Sequence, residues 1–148
     1  MNPRDLYRLL SRNREVTVRH HTYAATRAIV PENEWQDFGT DDAPFFGTWE
    51  HYGGGYDTAA FRRDGSRFVH LRGVIRADPA TDGRLCILPP GFRPEYVTPL
   101  AAIDSVMTTG EVRALYVRPS GIVQISPFNV GTTVEFLSIG NHRFRAAV

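Results

Sequence analysis

From Glu34 onward the chain is built of short runs rich in Val, Ile, Phe, Tyr and Thr, broken every few residues by Gly, Pro, Asp or Asn. That rhythm predicts strands and turns. The predicted strands are residues 46–52, 57–63, 67–78, 84–88, 97–104, 111–118, 121–126, 133–139 and 142–147. Asp64-Gly65 and Ser120-Gly121 supply two hairpin turns, because glycine readily takes a positive φ, and Gly140-Asn141 supplies a third. In "RFVHLRGVIRA" strict alternation puts Phe68, His70, Arg72, Val74 and Arg76 on one face and Val69, Leu71, Gly73, Ile75 and Ala77 on the other. The second set is apolar and points to the core. Number and spacing of the strands predict an all-β, jelly-roll-like antiparallel β-sandwich in preference to a small barrel.

The pattern changes near Pro31. Asn2 can cap a helix, Pro3 suits its first turn, and Leu6, Leu9 and Leu10 then share one face, which predicts a short amphipathic helix over about residues 3–12. So short a helix is marginal alone, so its apolar face must lie on the body or on a partner. An extended arm follows, with Val16 and Val18 on one side. Residues 1–30 carry six arginines against Asp5 and Glu15. Residues 1–35 are therefore expected to be a basic helix and docking arm, with Leu6, Leu9, Leu10, Arg4, Arg8 and Arg12 meeting a partner, and residues 36–148 the sandwich.

With 148 residues, 42% of them hydrophobic, the chain can bury one sizeable core. A net charge of +1 gives no field that would make nucleic acid or an anionic membrane the main partner. Every basic side chain is arginine, as a coding bias or a need for planar, bidentate contacts would produce. The single cysteine excludes an intramolecular disulfide and a Cys-rich zinc site, and Cys86 in "RLCILPP" reads as a buried apolar residue. No apolar run approaches the length of a membrane span and "MNPRDLYRLL" lacks the core of a signal peptide, so a soluble protein made in the cytoplasm is expected, without membrane insertion.

Candidate chemistry is sparse. His70 and Arg72 fall on the wet face, and no neighbouring motif supplies His70 with a nucleophile or an orienting carboxylate. His20 and His21 point to opposite sides, and His51 and His142 stand alone. Asp41, Asp42, Asp64, Asp78 and Asp82 read as loop and turn residues, without a pair placed to split into acid and base. The glycines of "YGGGYD" lead into a strand, so they do not cradle a phosphate. The expectation is a protein that is not an enzyme and uses neither cofactor nor metal.

The order of the pieces is more informative than any one of them: "GTWEHY", "AAFRRDGSRFVHLRGVI", "ILPPGFRP", "RALYVRPSGIV" and "FLSIGNHRFRA". This resembles the receptor-binding head module at the C-terminus of many tailed-bacteriophage tail fibres and minor tail proteins. The second and third pieces are the specific ones, and together the resemblance runs from about Gly47 to Val148. It implies that Val-His-Leu-Arg-Gly is a structural strand, with Gly73 where a bulge or close approach fits, that Phe92 plugs the sandwich, and that Arg93 pairs with a carboxylate or carbonyl. The sequence departs from the pattern in the extra Pro90, in lacking a Trp in the last strand, and in the longer "IGNHRF". With the basic arm in front, the chain is expected to be a stand-alone virion subunit, assembled in the host cytoplasm and docked to other virion proteins by that arm.

The family commonly forms homotrimers, which agrees with the aromatic excess in "DAPFFGTWEHYGGGY". Phe46 and Trp49 are expected in the core, and Tyr52 and Tyr56, flanked by glycines, on an exposed platform. Stacking a host-surface sugar there, with Asp57, Asn129 and His142 giving hydrogen bonds, is the chemistry such a head would use. A capsid decoration or collar protein without a receptor role, and a carbohydrate-binding module, are the alternatives.

Overall fold

A computed structural model describes residues 32–106, 109–126 and 128–148. The described residues form an all-β, antiparallel sandwich without a helix; the predicted helix at residues 3–12 and the docking residues Arg4, Leu6, Arg8, Leu9, Leu10 and Arg12 lie outside them. A four-stranded sheet has the order β1 (Gln36–Asp37), β3 (Ala60–Arg63), β4 (Phe68–Arg72), β11 (His142–Arg145). The facing seven-stranded sheet runs β2 (Glu50–His51), β5 (Val74–Ala77), β10 (Val134–Ser138), β7 (Thr98–Val106), β8 (Thr109–Val117), β9 (Ile122–Ser126), β6 (Arg84–Ile87).

Alternation explains what lies between the sheets. Val69 and Leu71 from one sheet, and Ile75, Leu85, Leu115, Val117, Val123, Ile125 and Leu137 from the other, are buried. Phe61 centres an aromatic group, with Phe38 and Phe92 each 4.8 Å away between ring centroids. Phe92 is the buried plug expected of it, and Arg93 Nε donates to the Leu88 carbonyl at 2.8 Å. Cys86 is wholly buried, which pushes its thiol well above the ordinary range.

Several sequence expectations need correcting. The predicted strand 67–78 is two strands in different sheets, broken at Gly73, whose φ of 105° turns the chain across the sandwich edge. An added Cβ there would lie 2.4 Å from Ala59 Cα, so the close approach is real and is what requires glycine. Gly140-Asn141 is not a hairpin, because β10 and β11 also belong to different sheets. In the Asp64-Gly65 turn the left-handed residue is Arg67, φ 65°, whereas at Ser120-Gly121 the glycine takes that role as expected. The predicted strand 46–52 shrinks to Glu50–His51, since Phe46 and Trp49 close a turn, Trp49 N donating to Phe46 O at 3.3 Å. Trp49 is buried, but Phe46 is half-buried, with the Arg84 guanidinium 4.5 Å above its ring.

Candidate ligand-binding cavity on the outer face of the four-stranded sheet

The site begins at the β3–β4 hairpin. Arg67 N donates to Asp64 O and Asp64 N to Phe68 O, closing a tight turn. The Asp64 carboxylate then reaches back: Oδ1 accepts from Ser66 N at 2.9 Å and Phe68 N at 3.0 Å, and Oδ2 meets His70 Nε2 at 2.8 Å. The hydrogen bond from His70 is the main reason that the Asp64 carboxyl is held below the usual carboxylate range; burial opposes it, and the backbone donors Phe68 N and Ser66 N add to the lowering. His70 thus has the orienting carboxylate that its sequence neighbourhood did not reveal, because the turn folds Asp64 back over the strand.

Register builds the rest. Arg62 pairs with His70, and His70 with Arg143, so Arg62, His70 and Arg143 form one cross-strand row over β3, β4 and β11. Arg72, two residues on from His70, shares the face. The indole of Trp35, just before β1, covers the arginines: the Arg72 guanidinium carbon is 4.3 Å and that of Arg62 5.0 Å from its centroid. Both distances lie in the range of cation–π attraction. An open cavity of about 600 Å³ is lined by Trp35, Asp57, His70, Leu71, Arg72, Asn141, His142 and Arg143.

The Asp64 carboxylate holds the His70 imidazole in a fixed orientation at the cavity. Among the described residues no group of three or more His, Cys, Asp and Glu is placed to hold a metal ion, and no helix is long and apolar enough to cross a membrane. What the cavity offers is an aromatic ring edged by hydrogen-bond donors, an arrangement suited to holding a polar ring-shaped ligand.

The residues named from sequence divide between places. Asp57 and His142 meet in this cavity. Tyr52 and Tyr56 pack edge-to-face with each other at 5.1 Å and with Phe136 at 5.4 and 5.2 Å, and are not among the residues lining it. Asn129 is exposed between β9 and β10, where its carbonyl accepts from Thr132 N. His51 does not stand alone: Nδ1 accepts from Ala59 N at 3.2 Å, so Nε2 carries the proton and donates to Phe38 O at 2.9 Å. Trp35, Arg62 and Arg143 escaped sequence reasoning. Alternation along β3 and β4 could have flagged Arg62 beside His70, but the long-range pairing that brings in Arg143 had no local signal.

No family model matches the sequence and no curated protein is similar to it. Solved structures are, among them two phage proteins. The head domain of phage bIL170, described in a study of receptor binding domains of lactococcal phages, aligns with a TM-score of 0.50 over 77% of this chain and 98% of its own, at 14% identity. The receptor binding protein of Listeria phage PSA aligns with a TM-score of 0.55 over 100% of this chain and 89% of its own, at 10% identity. The sandwich is related in fold to phage receptor-binding head domains. At such identities the likeness carries the arrangement of strands and says nothing of individual side chains.

Proposed function

We propose that this chain is a bacteriophage virion protein, a minor tail, fibre or spike subunit, that presents its sandwich as an attachment head for a host-surface glycan, and that the Trp35 cavity is the ligand site. The observation that carries the reading is an open, donor-rich cavity with an aromatic wall, set on a fold shared with two phage receptor-binding proteins. The basic segment ahead of Glu32 serves as the arm that docks to other virion proteins; Asn33 and Trp35, counted with the arm in the sequence reading, belong to the head.

Assembly as a homotrimer is part of the proposal. It is supported by the outer face of the seven-stranded sheet, where cross-strand pairing sets Pro99 beside Tyr116, Ala101 beside Ala114 and Ile103 beside Val112. Ile103 is 53% and Val112 72% exposed, and this stretch of β7 and β8 presents no charged side chain on that face. Exposed apolar surface of this kind marks a protein contact. A decoration or collar protein without a receptor role would use the same face and leave the cavity idle.

One experiment separates these readings. Fluorescently labelled full-length protein and its Trp35→Ala variant are mixed with candidate host cells, after light scattering has given their mass. Attachment lost in the variant at unchanged trimer mass supports the head reading; equal attachment of both, or none by either, moves the assignment to the structural alternative.

A further inference from the structure

The cross-strand row on the four-stranded sheet is electrostatically one-sided. Arg62 and Arg143 each stand opposite His70, and Arg72 follows two residues on, so three guanidinium groups gather on one face. Of the nearby carboxylates Asp64 is engaged by His70, which leaves Asp57 as the acid lining the cavity. Trp35 adds a second cost: the Nε atoms of Arg62 and Arg72 are buried and have no hydrogen-bond partner. A guanidinium half withdrawn from water without a counter-charge is destabilising unless an anion compensates it. Stacking on the indole meanwhile holds the planar groups in a fixed orientation, leaving the Arg72 fork at the cavity for two parallel hydrogen bonds.

We infer that the cavity takes the negatively charged group of a glycan, a sugar carboxylate or a phosphate ester, held by Arg72 and Arg143 beside Trp35. This rests on the attachment reading above and names the ligand class of that site. Arg72 supplies the forked contact, Arg143 on the edge strand supplies a second positive charge, Arg62 reinforces the field from behind the indole, and Trp35 gives the sugar ring its apolar wall. Asn141 and His142, which also line the cavity, are left for hydroxyl groups.

The test is a tryptophan-fluorescence titration of the full chain with glucuronate, glucose 1-phosphate and glucose at fixed ionic strength, Trp35 being the tryptophan at the cavity. At least one charged sugar is expected to bind about tenfold tighter than glucose, and that advantage to disappear in Arg72→Gln and Arg143→Gln while persisting in Arg76→Gln. Which charged sugar binds tells carboxylate from phosphate. Arg143 is exposed on an edge strand, so its variant keeps the test valid if Arg72→Gln does not fold. Equal affinity for glucose, no response to either charged sugar, or an advantage that survives both substitutions overturns the inference. Attachment to cells separates the two levels: Arg143→Gln attaching normally while Trp35→Ala does not defeats the anion and keeps the head, whereas normal attachment by Trp35→Ala defeats the head reading itself.

Discussion

Gly73 and Gly140 lie side by side at the edge of the sandwich: Ile139 N donates to Gly73 O at 3.0 Å, and a Cβ on Gly140 would stand 3.4 Å from Gly73 N. Here two neighbouring antiparallel segments leave one sheet for the other together, β4 into β5 and β10 into β11. The crossing brings β11 beside β4 and so completes the row of Arg62, His70 and Arg143. The corner is therefore what positions the cavity.

The two glycines should respond differently to a methyl group. Gly73 has a positive φ and three backbone atoms within 2.6 Å of an added Cβ, so Gly73→Ala combines strain with overpacking and should cost about 3 kcal/mol or more. Gly140→Ala meets its nearest neighbour at 3.4 Å and should cost about 1 kcal/mol or less. Urea denaturation of both variants measures the difference; similar losses would mean that the corner can shift to make room.

Phe92 is expected to be among the costly core positions. It is buried against Phe61 with rings nearly perpendicular, and Phe92→Ala removes that contact and leaves a void, for a loss of about 3 kcal/mol or more. A loss under about 0.5 kcal/mol, typical of surface positions, would show that the loop relaxes into the gap.

Much of this was legible in advance because burial follows period-two alternation. The inward set Val69, Leu71, Gly73, Ile75 and Ala77 is buried as the pattern requires. Alternation, however, does not report which sheet a strand joins, so the break at Gly73 was invisible: Val74, assigned outward, is also buried because the chain turns there. Gln36–Asp37 forms a strand by pairing with Phe61 and Ala60, although its own residues carry no strand pattern. The cavity was half legible. Asp57 and His142 could be suspected as polar residues among strands, but Trp35 sits in a polar stretch, and its role arises from the arginines of β3 and β4 that it covers.

Asp104 should be sensitive to loss of its partner. It is 1% exposed on the inward side of β7, where its Oδ2 accepts from Arg113 Nε and its Oδ1 has no hydrogen-bond partner. Arg113→Met would leave a buried carboxylate uncompensated, at a cost of about 3 kcal/mol. Replacing both residues, Asp104→Leu with Arg113→Met, should recover most of that loss, and a double-mutant cycle read by denaturation gives the coupling. Additive effects would show that the two side chains act independently.

Stability should fall in acid, partly through two turns. Asp64 is held below the ordinary carboxylate range first by His70, and Asp82 first by Arg84, whose Nε and Nη2 donate to it. A folded-state pKa below the unfolded value gives a contribution that is full above the unfolded value and is lost as pH falls through the folded one. Melting temperature should therefore drop as pH falls below about 4, and less steeply in Asp64→Asn and Asp82→Asn than in the parent. Parallel curves for parent and variants would mean that other carboxylates govern the acid limb.

The proposed division between arm and head makes a last prediction. Among the described residues every strand of the two sheets lies between Gln36 and Arg145, and the segment just before β1 is already tied to the body, Asn33 N donating to Arg63 O at 2.7 Å. Deleting residues 1–30 removes none of these groups, so the shortened chain should remain folded, with a single cooperative melting transition. It should also still bind whatever the Trp35 cavity binds. If the arm docks to the particle, the same deletion should abolish incorporation into virions assembled in its presence. Incorporation at the parental level would place the docking contact on the sandwich, with the apolar face of β7 and β8 the first surface to substitute, by Ile103→Glu and Val112→Glu.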